Sequence, residues 1–510
     1  MSRKEPSHSL KERQLRERDA PLDLSPEEFR KLGRDLVDEI ADFLTSLPER
    51  PVTAGESLAQ VRQALNADRS LPEQGMDPGP LLTRTARLLF DHSLFNGHPR
   101  FFGYITSSAA PIGALADLLA ATVNPNVGAW ALSPMASEIE SQTVRWIAEL
   151  VGYPTSCGGL LVSGGNMANF ACFLAARTAQ AGWDVRKVGL AHESSRRLLV
   201  YASAETHTWI HKASDLCGLG VDSIRWIPVD EGQRMDVAEL RRQMEEDLIR
   251  KDQPFLVVGT AGSVSTGAID PLPQIAAICR EFGVWFHVDG AYGAFAAMLP
   301  DAPSDLLGLS EADSLALDPH KWLYAPLEAG CVLVRDSAHL PETFSYHPSY
   351  YHFGDEAINY VDHGPQNSRG FRALKVWLAL QQVGSSGYIQ MLSDDIQLAR
   401  FLFRSVADHE ELEAMTQSLS ITTFRYVPPD LRAQSESEET AAYLNRLNQE
   451  VLTRLEKTGE IFLSNAMIDG KFLIRSCIVN FRASRKDVEK VVQVVIRLGR
   501  EVDQAFRLQC

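Results

Sequence analysis

The sequence predicts an α/β protein: a large domain on a mostly parallel sheet, a small C-terminal α+β domain and an N-terminal helical arm. Three observations carry that expectation. Between about 100 and 385, short apolar runs (Leu160–Val162, Leu198–Ala202, Phe255–Gly259, Trp285–Asp289, Cys331–Val334) alternate with helical stretches such as 166–179 and 271–282. Strand, crossover helix and strand in repetition imply a parallel sheet covered on both faces. From about 386 the texture changes. Ile421–Val427 and Phe472–Phe481 read as strands, 428–438 as a polar loop, and Ser484 opens a helix to about 503. Near the N-terminus, Ser25-Pro26-Glu27-Glu28 supplies an N-cap, a proline at the first helical position and a capping-box glutamate. Phe29, Leu32, Leu36, Ile40 and Phe43 follow at helical spacing, and Pro48 closes the segment. One apolar stripe of this kind needs a partner surface, in this subunit or another. The expected division is a disordered polar tail over 1–21, an N-terminal helical segment over 22–100, a large domain over 101–385 and a small domain over 386–510.

Bulk properties bound the function. At 510 residues the chain exceeds one ordinary domain, and 45% hydrophobic with 23% charged residues suits a globular protein. A net charge of −16 leaves nothing to offset phosphate repulsion, which argues against a nucleic-acid partner and against anionic membranes. The seven cysteines are scattered, with no CxxC pair and no histidine at metal spacing, as in a cytosolic protein with reduced thiols. The N-terminus lacks an apolar signal region, and no uninterrupted apolar run reaches membrane-spanning length. A cytoplasmic protein with no membrane, nucleic-acid or metal partner is expected.

In a parallel sheet the ligand lies at the carboxyl ends of the strands. Lys321, in Ser314-Leu-Ala-Leu-Asp318-Pro-His320-Lys321-Trp322, follows an apolar strand and sits among Trp322, Leu323 and Tyr324. An amine drawn partly out of water becomes a usable nucleophile, unless the lysine merely ends a strand with its ammonium reaching outward. Asp289, in His287-Val-Asp289-Gly-Ala291-Tyr292, ends another apolar run. A carboxylate there can bind a metal, orient a histidine, hold the proton of a pyridine nitrogen or cap the next helix. Ala291 is small enough to lie beneath a flat ring. Leu160-Leu-Val162-Ser163-Gly164-Gly165-Asn166 reads as strand, glycine turn and helix, which offers backbone N–H groups to an anion. Gly165 permits close approach and Asn166 adds a donor, although many tight turns look alike and the segment is neither a P-loop nor GxGxxG. His207, just after the strand at 198–202, can stack on a flat cofactor or be an ordinary packed residue. Thr260 and Ser263 offer hydroxyls at a further strand end. A phosphate turn, a stacking histidine, an aspartate and a lysine, in that order at successive strand ends, together answer to pyridoxal 5′-phosphate (PLP).

These segments resemble the group II PLP-dependent decarboxylases, a fold-type-I (aspartate-aminotransferase-like) family that includes aromatic-L-amino-acid, histidine, glutamate and cysteine-sulfinate decarboxylases. The resemblance spans roughly 22–505, and its most specific pieces are HVDGAYG at 287–293 and DPHKWLYAP at 318–326. It implies that Lys321 is the Schiff-base lysine, with His320 beside it, Asp289 the pyridinium partner and His207 the stacking histidine. Gly165 and Asn166 take the phosphate-loop positions, where the aromatic branch usually has Ala-Ser. Ser263 or Thr260 takes the hydroxyl position near Asp289. His347-Pro348-Ser349-Tyr350 resembles the catalytic loop whose tyrosine re-protonates the α-carbon; otherwise Tyr350 is one more aromatic in a run with Tyr346 and Tyr351. Phenylalanine at that position goes with aldehyde formation in the family, so Tyr350 favours plain decarboxylation. Arg369 matches a family arginine or forms a structural salt bridge. The resemblance also implies a homodimer locked by the N-terminal helices, which gives the Phe29–Phe43 stripe its partner.

The expected substrate is a small L-amino acid, with aromatic ones leading. Tyr104 keeps an aromatic wall in the segment that resembles the family's substrate strand. Ile105-Thr106 and Gly128, before Ala129-Trp130, stand where aromatic-acid enzymes tend to carry Phe-Pro and Phe, which implies a wider or differently shaped pocket. No arginine is convincingly placed for a side-chain carboxylate, although Arg100 lies close by in sequence. An acidic-substrate decarboxylase is the nearest rival. An aminotransferase or other fold-type-I enzyme would share Lys321 and Asp289 without the Tyr350 loop, and a non-catalytic relative would be expected to lose one of the pair.

Overall fold

The computed structural model describes residues 20–191, 196–347, 357–435 and 437–508. Most of the expected N-terminal tail lies outside them. The chain divides into two compact units: Glu56–Ser93 with the described residues up to Arg50, and Pro51–Gly55 with Leu94 onward.

In the first unit, the helix Pro26–Ser46 starts at the capping box read from the sequence. Ser25 Oγ accepts from Glu28 N, and the Glu28 carboxylate accepts from Ser25 N at 3.0 Å. A short 3₁₀ turn at Leu47–Glu49 ends it, where Pro48 cannot continue the ladder. Part of the apolar stripe finds a partner within the unit: Phe43 stacks on Phe90 of the helix Pro78–Asp91, ring centroids 4.4 Å apart. Phe29 and Ile40 stay exposed.

The second unit holds, among the described residues, a seven-stranded sheet and a four-stranded sheet. The large sheet consists of β1 (Gly158–Val162), β2 (Leu198–Ser203), β3 (Ile224–Ile227), β4 (Gln253–Thr260), β5 (Trp285–Asp289), β6 (Ser314–Leu317) and β7 (Gly330–Val334), ordered β1-β7-β6-β5-β4-β2-β3. Strands β3, β2, β4, β5 and β6 run parallel, joined by crossover segments such as Leu272–Phe282. Strand β7 is antiparallel to both neighbours because the chain doubles back after β6 without a long crossover. Along β1, Leu160 and Val162 pack on one side while Leu161 packs on the other, so both faces are buried.

The small sheet, β8 (Leu412–Ser418), β9 (Ile421–Tyr426), β10 (Ser464–Ile468) and β11 (Lys471–Cys477), is antiparallel in the order β10-β11-β9-β8. The helices Glu438–Thr458 and Arg485–Arg507 cover one face through Phe424, Ile474, Leu444 and Val491. Ser484 and Asp487 form the capping box of the last helix. A helical segment, Ala373–Ala407, runs between the two sheets' sequences and is interrupted at Gly384, where φ 66° and ψ 170° leave the helical region. No helix among the described residues is long and apolar enough to cross a membrane.

Candidate active site

The carboxyl ends of β1, β2, β4, β5 and β6 open into one cleft. Strand β6 leads straight into a short helical turn, Pro319–Trp322, that carries Lys321. Lys321 Nζ lies 3.2 Å from Asp318 Oδ2 on the cleft wall rather than reaching outward. The turn is pinned from three directions. Ser107 Oγ donates to His320 O at 2.8 Å, and Trp322 Nε1 and Tyr324 Oη donate to Asp395 Oδ2 at 3.0 and 2.7 Å. Burial pushes the Asp395 carboxyl up to about 7. His320 itself turns under the glycine loop: its Nδ1 accepts from Ala329 N at 3.2 Å, and burial lowers its pKa.

Asp289 ends β5 in a buried position, and two donors fix its carboxylate. Trp209 Nε1 donates to Oδ2 at 2.8 Å and Ala291 N to Oδ1 at 3.2 Å. Two residues upstream, His287 is fully buried, bound to Ser314 Oγ through Nδ1 (2.9 Å) and to Asn169 Oδ1 through Nε2 (2.7 Å). Burial drives its pKa down to about 4, so it is neutral. Asn169 also lines the cleft.

The helix Gly165–Gln180 starts at β1 with no side-chain cap, so its first N–H groups have no side-chain acceptor beside the cleft, where Gly165 and Asn166 stand. A Cβ at Gly165 would come 2.6 Å from Asp318 Oδ2 and 3.3 Å from Ala291 Cβ. His207 follows β2 on the wall. Its Nδ1 accepts from Trp209 N at 3.3 Å, and partial enclosure lowers its pKa. Of the two hydroxyls at the end of β4, Thr260 lines the cleft, with a buried Oγ1 that has no partner among the described residues. Ser263 instead closes its own turn, its Oγ 2.9 Å from Thr266 Oγ1, so the hydroxyl on the wall is that of Thr260.

The residues expected around the substrate are brought together only in part. Ile105 lines the cleft. Tyr104 has φ 51° and an exposed side chain, and Thr106 is half-buried beside it. Gly128 does not widen a pocket: it is buried, and a Cβ there would run into Asn367 O. Trp130 lies at the surface, with Nε1 donating to Glu138 at 2.9 Å. Arg100 turns away, its Nε donating to Glu460 O at 2.8 Å. Arg369 is the structural salt bridge, buried against Glu140 and the carbonyls of Val127 and Leu161. Tyr350 falls outside the described residues.

Three polar residues at or near the cleft were given no role from the sequence. Trp209 and Asp318 each lie within three residues of one that was singled out, but nothing in the spacing shows which way they point. Arg475 had a readable signal, a charge inside the apolar strand Phe472-Leu-Ile-Arg475. It is buried, with Nη1 donating to Tyr104 O and Ser464 Oγ, both at 3.1 Å, while Nε and Nη2 have no partner among the described residues.

Residues 63–427 match the family described as the pyridoxal-dependent decarboxylase conserved domain, and 403–507 match a PDXDC1-like second central domain. The chain is 34% identical to an aromatic-L-amino-acid decarboxylase of Bacillus atrophaeus, across 95% of this chain and 98% of the relative. Among solved structures it is similar to mouse CSAD (TM-score 0.87, 28% identity, covering 93% of this chain and 99% of that one). It is also similar to Oryza sativa TDC crystallised with PLP and tryptamine (TM-score 0.87, 25% identity, 95% and 99%).

Proposed function

The chain belongs to the pyridoxal-dependent decarboxylase family, and from that premise we propose that it removes CO₂ from an aromatic L-amino acid, with Lys321 as the lysine that carries the cofactor. It is a PLP-dependent carboxy-lyase of the fold-type-I class. The cleft fits that cofactor. Gly165 leaves a cradle that a single Cβ would fill, Ala291 keeps the floor low, and the buried Thr260 Oγ1 and Asp318 Oδ1 have no partner among the described residues.

Bound PLP supplies the electron sink that makes loss of the Cα carboxylate possible. The chain's own groups do the rest. Lys321 Nζ, steadied by Asp318, would anchor the cofactor; Asp289 would hold a proton at its ring nitrogen; His207 would lie against the ring; and Gly165 and Asn166 would receive the phosphate, with Thr260 as the neighbouring hydroxyl. Ile105 and the Tyr104 segment form a wall against the substrate side chain and exclude water. Tyr350 hands its hydroxyl proton to Cα. The exposed apolar side chains of Leu115, Leu118, Leu119 and Val123 on the helix Pro111–Val123 support a homodimer, and a cytoplasmic location accords with the scattered cysteines.

The observation that carries the reading is the convergence of Lys321, Asp289 and the uncapped glycine turn on one cleft. One observation favours a second reading, an acidic substrate. Arg475 has two buried donor nitrogens, Nε and Nη2, with no partner among the described residues, and a side-chain carboxylate would bridge both. CO₂ release across the common L-amino acids, L-DOPA and 5-hydroxytryptophan separates the two. Release with Trp, Tyr, Phe or DOPA supports the aromatic reading, and release confined to Glu, Asp or cysteine sulfinate supports the acidic one. Lys321→Ala should lose the visible absorbance of lysine-bound PLP; persistence of that band would overturn the assignment of Lys321.

A further inference from the structure

We propose that Trp209 is a positioning residue that links two cofactor contacts, holding His207 through its backbone N–H and Asp289 through its indole N–H. The inference rests on the roles given above to those two residues.

Trp209 is fully buried and opens the helix Trp209–Leu216 directly after the His207 turn. Its backbone N donates to His207 Nδ1 at 3.3 Å, and its Nε1 donates to Asp289 Oδ2 at 2.8 Å. The first bond places the proton of a neutral His207 on Nε2, because Nδ1 is the acceptor. The second concerns an indole N–H, which can only donate, so Asp289 Oδ2 must accept. With Ala291 N on Oδ1, each carboxylate oxygen is held by one N–H, and the group cannot rotate away from the cleft.

The indole has little freedom of its own. Phe173 meets it edge-on at 6.5 Å and 85°, and the buried His287 does so at 5.7 Å and 86°. Phe173 is braced in turn by Phe255 on β4 at 5.5 Å. Aromatic edges thus fix where Nε1 points, and Nε1 fixes Asp289. A residue that only filled space between the sheet and its helix would need the ring but not the nitrogen. Phenylalanine would serve that purpose.

Trp209→Phe keeps the ring and deletes the donor. Titration of the apoprotein with PLP should then show affinity weakened about 10- to 100-fold, the range of a hydrogen bond to a charged group. The absorbance of bound PLP should also titrate at a different pH. Unchanged affinity and an unchanged spectrum would overturn the proposal and leave Lys321 and Asp289 untouched. A second measurement needs no change at Trp209. In apoprotein labelled with ¹⁵N-tryptophan, one indole N–H among the eight tryptophans should resonate downfield and move on Asp289→Asn. If no indole signal moves, the Trp209–Asp289 link is absent and the proposal fails. Failure of the underlying reading looks different: wild-type protein would take up no PLP, and the proposal would fall with it.

Discussion

The strand-end side of the cleft and the segment 104–130, of which Ile105 lines the cleft, are held by different kinds of contact. On the strand-end side, Lys321, Asp289, His207 and Gly165 stand at or just after strand ends, and the first three each have a partner within three residues in sequence: Asp318, Ala291 N and Trp209 N, respectively. In the segment 104–130, Tyr104 is held by Arg475 and Ser464, hundreds of residues along the chain, and Gly128 O accepts from Val361 N. The first side takes its geometry from the sheet, and the second from long-range packing. A cleft of this kind keeps its chemistry fixed while its substrate wall can change.

The largest effect that would break this contrast is at Asp289. Asp289→Ala should lower the rate of CO₂ release about 10²- to 10³-fold, as loss of one fixed charge-stabilising group does, while any single change at Tyr104 or Thr106 stays well below that. Steady-state kinetics on the preferred substrate measure both, and comparable losses would dissolve the distinction.

The row behind the strand ends should show itself in acid. His287 has its pKa lowered by burial to about 4, against an ordinary 6.5 that holds when the chain unfolds. Between those values the unfolded chain binds the proton and the folded one does not, so stability is full above pH 6.5 and falls as pH drops to 4. The loss is about 3 kcal/mol for one group. His363, also lowered to about 4, adds to the same window. Urea denaturation from pH 7 to 4 should show this slope, and His287→Gln should flatten it; an unaltered slope would remove His287 as its cause.

This contrast also explains what the sequence revealed. Lys321, Asp289, His207 and Gly165 were readable because a strand followed by a turn fixes where the next side chain points, whatever the distant chain does. The capping boxes at Ser25 and Ser484 were legible for the same local reason. Strands β8 and β10 were not, since β8 is only half-buried and ends in Thr-Gln-Ser, and β10 alternates buried with exposed residues over five positions. Gly128 misled because an absent side chain reads as open space, whereas Asn367 O occupies that space. The choice between Thr260 and Ser263 depended on which hydroxyl its own turn already satisfied, and spacing carries no such information.

Gly128 sharpens the contrast at a smaller scale. Gly128→Ala forces a methyl toward Asn367 O and the side chain of Val361, so it should cost about 1–3 kcal/mol of stability in urea denaturation. The ratio of rates on different substrates should stay near wild type, because the residue packs the wall from behind. A variant of normal stability with altered substrate preference would return Gly128 to the pocket.

The smallest effect expected is at Arg475, which is buried and donates to Tyr104 O. Arg475→Lys keeps a positive charge and one bond to Tyr104 O or Ser464 Oγ, but it removes the planar pair of free donors. If those donors receive a substrate carboxylate, KM should rise about 10-fold with kcat little changed, the signature of lost uniform binding. The pattern across substrates then tells which carboxylate it is. An equal rise for aromatic and acidic amino acids assigns Arg475 to the carboxylate they share at Cα. A rise confined to acidic ones assigns it to the side chain and favours the acidic reading. An unchanged KM for every substrate would make Arg475 part of the packing that holds Tyr104, and the substrate wall would then have no fixed charge of its own from this arginine.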